Sequence, residues 1–95
     1  MAGDRFEDVQ KAIDREWMFR SLREMILIRS ENPFDDAPAE GYRETEMAGY
    51  LAGQLSTLGL EVETREVRPG RPNVFGRLKG KQGRSALMLA GHMDT

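Results

Sequence analysis

Apolar residues first recur at helical spacing. Met18, Leu22, Met25 and Ile26 stand at i, i+4, i+7 and i+8 and line one face of a predicted helix. Asp14 has N-cap chemistry, and Ile13 before it with Met18 four residues after it has the spacing of a hydrophobic staple. Phe6, Val9 and Ile13 predict a shorter helical lead-in. The pattern stops at RSENPF, because Pro33 disfavours helical geometry at Asn32 and cannot donate to the ladder. The acidic DDAPAEG stretch reads as a loop. A second helix is predicted from about Arg43 to Leu58, with Met47, Tyr50, Leu51, Gln54, Leu55 and Leu58 on one stripe and Gly59 as its C-terminal stop. Gly49 and Gly53 weaken that helix in isolation and are expected to leave a flat strip for close packing.

After Gly59 the period becomes two. LEVETREV alternates like a half-buried strand, PGRP makes a turn, and NVFGRLKG reads as a second strand. KGKQGR is a polar connection. SALMLAG is a continuous apolar run, predicted to be a strand over Ser85 to Ala90 covered on both faces. The expectation is an α/β fold: two N-terminal helices followed by strands of a central sheet. No internal repeat interrupts this order.

Composition removes several function classes. The 95 residues suit one small domain, and 39% hydrophobic residues permit only a modest core. A formal charge of −2 supplies no global field for nucleic acid or an anionic membrane. Cysteine is absent, so disulfides, thiolate zinc sites and a cysteine nucleophile drop out. The polar opening MAGDRFEDVQ lacks a secretory pattern, and no apolar run is long enough to span a bilayer. A cytoplasmic protein with neither nucleic-acid nor membrane partner is expected. GRLKGKQG is not a phosphate loop, because Gly76 and Gly80 are too close and Gln82 stands where Ser or Thr should be. The basic run Arg65, Arg68, Arg71, Arg77, Lys79, Lys81 and Arg84 lacks an aromatic ladder and reads as strand-edge charge.

The candidate chemistry lies in GHMDT. If a strand emerges near Gly91, His92 and Asp94 share one side and Met93 takes the other. Strand C-terminal ends in open α/β sheets are where ligand crevices form. Neutral imidazole is a favoured zinc ligand, and a carboxylate two residues on can hold its second nitrogen and fix the tautomer. A structural histidine at a strand end is the plainer reading of so short a motif. One histidine does not build a catalytic zinc site, which takes about three protein ligands and an open position.

LIRSENP, ETEMAGYLAGQLSTLGLEVE, RPNVFGRLKG and SALMLAGHMDT, in this order and spacing, resemble the start of the dinuclear-zinc amidohydrolases and exopeptidases. That family includes acetylornithine deacetylase, succinyl-diaminopimelate desuccinylase, aminoacylase-1 and carboxypeptidase G. The resemblance covers about Asp14 to Thr95. It implies that His92 binds metal and that Asp94 orients it and counts as catalytic. Arg29 departs from the pattern, standing where family members often have proline. The resemblance further implies two zinc ions, with cobalt as a possible substitute, and hydrolysis of amide bonds in N-acyl amino acids or small peptides. The intact enzyme would be a homodimer. Residues 1–95 are then expected to be an N-terminal fragment of the catalytic domain, inactive alone, without the rest of that domain and the dimerisation domain. The alternative is a small non-catalytic binding or interaction module with a chance His-x-Asp. The reading frame beyond Thr95 separates them: a Val-Pro continuation and a downstream pair of adjacent glutamates mark the enzyme.

Overall fold

Asp14 decides where the main N-terminal helix begins. Its Oδ1 accepts the backbone N–H of Trp17 at 3.0 Å, which satisfies one of the donors left open at a helix start. In the computed structural model, which describes residues 2–31, 44–81, 83 and 86–95, this cap separates α1 (Ala2–Ala12) from α2 (Arg15–Leu27). The lead-in is thus a helix in its own right. Ile13 and Met18, at staple spacing, both remain largely exposed. The chain leaves α2 at Ile28, whose N–H donates to the Met25 carbonyl at 3.1 Å while its backbone turns to the extended region.

α3 (Glu44–Thr57) matches the second expected helix, and its end is a Schellman motif. Gly59 takes φ 87°, its N–H donates to Ser56 O at 3.0 Å, and the Leu60 N–H donates to Leu55 O at 3.1 Å. Leu55 and Leu60 then sit together over Gly76 of the adjoining hairpin. The hairpin pairs β1 (Glu61–Arg68) with β2 (Arg71–Arg77), antiparallel, from Glu61 opposite Arg77 to Arg68 opposite Arg71. Pro69 followed by Gly70 at φ 77° is the residue order of a type II turn. Such a turn does not share the twist of the paired strands, and the ladder shifts register beside it, between Glu66 and Arg68.

The core is small and lies between α3 and the hairpin. Met47 and Ala48 are its buried apolar side chains among the described residues, at 5% and 2% exposure. Glu44 opens α3 in the negative-charge-favouring first turn, and its carboxylate meets Arg71 through Nη2 at 3.0 Å and Nε at 3.3 Å. The Thr45 hydroxyl reaches Gly70 O at 3.4 Å. These contacts tie the start of α3 to the hairpin turn. α2 is joined to α3 by Tyr50, whose hydroxyl donates to Glu24 Oε2 at 2.6 Å.

Two expectations are corrected. Residues 86–90 form no strand: they make no ladder with the hairpin, and an apolar run becomes a strand only when a neighbour takes its backbone groups. The observed sheet is accordingly two-stranded. Gly49 and Gly53 do not serve close packing among the described residues, since nothing lies within 4 Å of a Cβ built on either; Gly76 is the closely approached glycine. The α2 stripe is mostly uncovered, with Leu22 and Ile26 exposed and Met25 half-buried. The expected break at Asn32 and Pro33, the acidic loop, and Arg43, Gln82, Arg84 and Ser85 lie outside the described residues. No helix among the described residues is long and apolar enough to cross a membrane.

Candidate functional site

The stretch that leaves α2 and the Gly91–Thr95 segment meet through backbone. The Thr95 N–H donates to the Ser30 carbonyl at 2.9 Å, and Ser30 is among the most buried described residues, at 2% exposure. An open cavity of about 600 Å³ lies beside this contact. Leu22, Met25, Met47, Leu51 and Met93 give it an apolar wall, with His92 and Asp94 at its border.

The structure brings His92 and Asp94 together, as the i, i+2 spacing predicts, although they follow an irregular segment rather than a strand. His92 Nδ1 lies 2.7 Å from the Asp94 backbone oxygen and 3.2 Å from Asp94 Oδ1. Both are acceptors, so the arrangement calls for a proton on Nδ1 and leaves the Nε2 lone pair open. The His92 side chain is 84% exposed and that of Asp94 27%, so Nε2 is presented to solvent while the carboxylate is partly withdrawn.

Arg29 and Glu31 flank Ser30 and face each other in a two-point contact, Nε to Oε1 and Nη2 to Oε2, both 3.1 Å. The hydrogen bonds from Arg29 hold the Glu31 carboxyl below the ordinary carboxylate range. In the basic run, Arg65 bonds Glu63 at 2.8 Å and stands 5.8 Å from the Phe75 ring centre, while Arg71 is bound to Glu44. Those charges are engaged within the fold.

As a metal centre, this set fits one corner only. A neutral imidazole with Nδ1 engaged is a suitable zinc ligand, but no group of three His, Cys, Asp or Glu able to hold an ion occurs among the described residues. The residue that sequence reasoning missed is Ser30. Its part is played by a backbone carbonyl, for which a sequence carries no side-chain signal.

Comparisons with known proteins give partial matches. The chain is 40% identical over 61 residues to the N-formyl-4-amino-5-aminomethyl-2-methylpyrimidine deformylase of Bacillus subtilis (strain 168), covering 61% of this chain and 14% of that protein. It is 35% identical over 78 residues to the acetylornithine deacetylase of Vibrio vulnificus (strain CMCP6), covering 82% of this chain and 19% of the relative. Over 45 residues it is 44% identical to the acetylornithine deacetylase of Vibrio campbellii (strain ATCC BAA-1116), covering 47% and 11%. The chain thus spans less than a fifth of these relatives. No family model matches it, and no solved structure does. The similarities support the amidohydrolase family broadly and single out no member.

Proposed function

We propose that this chain is an N-terminal part of the catalytic domain of a metal-dependent amide hydrolase, and that His92 supplies one ligand of its metal centre. The observation that carries the reading is the ring geometry: Nδ1 turned to Asp94 and Nε2 open at the border of a cavity. The names of the relatives support the reaction class, since a deacetylase and a deformylase both remove a small acyl group from nitrogen.

In this reading His92 binds zinc, or cobalt in its place, through Nε2, and Asp94 keeps the ring oriented. A metal pair held there by His92 together with ligands from the rest of the domain would supply an activated water and polarise the scissile carbonyl. Met25, Met47, Leu51 and Met93 give an apolar lining to the cavity at whose border His92 stands. The substrate is an N-acylated amino acid or a molecule of similar size, and the intact enzyme is a cytoplasmic homodimer. The 95-residue chain alone is inert, because one ligand does not complete the centre.

The test is an assay of the protein expressed from the complete reading frame that contains this segment, with N-acetyl and N-formyl amines as substrates. Turnover is expected with zinc or cobalt, and loss of it on chelation and in His92→Ala. Hydrolysis that survives both treatments would overturn the reading.

A further inference from the structure

One peptide group stands between two elements of the site. The Asp94 carbonyl and the Thr95 N–H belong to the same rigid plane, so fixing one end fixes the other. Its N–H donates to the Ser30 carbonyl at 2.9 Å, and its oxygen lies 2.7 Å from His92 Nδ1. The Asp94 carboxylate oxygen is the longer contact, at 3.2 Å. Ser30 is buried at 2% exposure where the chain leaves α2, whereas the His92 side chain is 84% exposed.

We propose that the Asp94–Thr95 peptide, anchored on the buried Ser30 carbonyl, fixes the His92 ring in the Nδ1–H tautomer, with Ser30 and Thr95 as positioning residues and the Asp94 carboxylate as a secondary acceptor. The hydrogen bonds run in one direction: Nδ1–H of His92 donates to the Asp94 carbonyl, and the N–H of the same peptide donates to Ser30. Each bond polarises the peptide so as to strengthen the other. An exposed histidine side chain in water otherwise favours the proton on Nε2, which would block a ligand bond there. The inference deepens the proposed metal role of His92, but it concerns the metal-free ring.

The test is two-bond ¹H–¹⁵N correlation NMR of the metal-free 95-residue chain in mildly alkaline solution, at a dilution where sedimentation shows a folded monomer, so that its single histidine gives one ring signature. The Nδ1–H pattern is expected in the unaltered chain. It should persist in Asp94→Ala, which keeps the peptide, and in Thr95→Ala, which keeps the N–H. In Thr95→Pro, which removes the donor, it should give way to a mixture with Nε2–H. Conversion by Asp94→Ala or Thr95→Ala, or retention in Thr95→Pro, overturns the proposal. Scalar coupling across the bond from Thr95 N–H to the Ser30 carbonyl reads the anchor in the unaltered chain without any variant. Its absence beside an intact Nδ1–H pattern also overturns the proposal. Because no metal is present, these outcomes are separate from the hydrolase assay, which alone judges the metal role.

Discussion

Two glycines give opposite expectations although both sit in regular elements. Gly76 lies on the face of β2 turned to α3, and a Cβ there would stand 3.0 Å from Leu55 Cδ1 and from Leu60 Cδ2. Gly76→Ala should therefore destabilise, by up to about 1 kcal/mol, the crowding of the leucine ends being partly offset by the better strand preference of Ala. Gly53 is exposed in mid-helix with nothing within 4 Å of a built Cβ. Gly53→Ala should stabilise by up to about 1 kcal/mol through backbone entropy. Urea titration of the two variants measures both, and a neutral Gly76→Ala would show that the leucine pair is loosely seated. Residue chemistry also explains what was legible at the site. The contact of His92 with Asp94 follows from two side chains two positions apart, whereas the Thr95 contact with Ser30 joins distant backbone groups that no residue type announces.

Elements were legible where their signals are local. The Asp14 cap, the Gly59 stop and the Pro69–Gly70 turn each act within a few residues, and α2, α3 and the hairpin fall near their expected bounds. The run over residues 86–90 has strand composition, but strand formation depends on a partner, and the observed ladder stops at β1 and β2. Contacts between elements are likewise non-local. The link between α2 and α3 relies on the Tyr50 hydroxyl donating to the Glu24 carboxylate, and that bond raises the Tyr50 pKa above its ordinary value of 10.0. A raised folded-state pKa favours the protonated phenol. The stabilisation is full below the unfolded value and is lost as pH rises through the higher folded value. Unfolding free energy should thus fall on the alkaline side of pH 10, and Tyr50→Phe should remove that part of the fall. Urea titrations from neutral to alkaline pH check this, and an unchanged slope in the variant would detach Tyr50 from the link.

At the scale of the whole molecule, the chain is long for its mass. Its radius of gyration is 16.1 Å with extents of 52 × 30 × 22 Å, where a compact domain of about 100 residues has about 13 Å. The excess comes with uncovered apolar surface. Leu87, Met88 and Leu89 are 85%, 87% and 87% exposed, and Phe6, Val9, Phe19, Ile26 and Leu27 are exposed on α1 and α2. Monomeric proteins rarely leave so much apolar surface open, and a net charge of −2 supplies little repulsion to keep copies apart. The 95-residue chain should therefore self-associate and melt over a broad range, because the buried apolar core among the described residues is little more than Met47 and Ala48. Replacing Leu87 and Leu89 with Glu should weaken association while leaving the hairpin and α3 unchanged, since neither residue packs on them. Sedimentation velocity across a concentration series, paired with a thermal melt, decides the matter. A monodisperse monomer with one sharp, cooperative transition would sink this expectation and favour a module that stands alone over part of a larger enzyme.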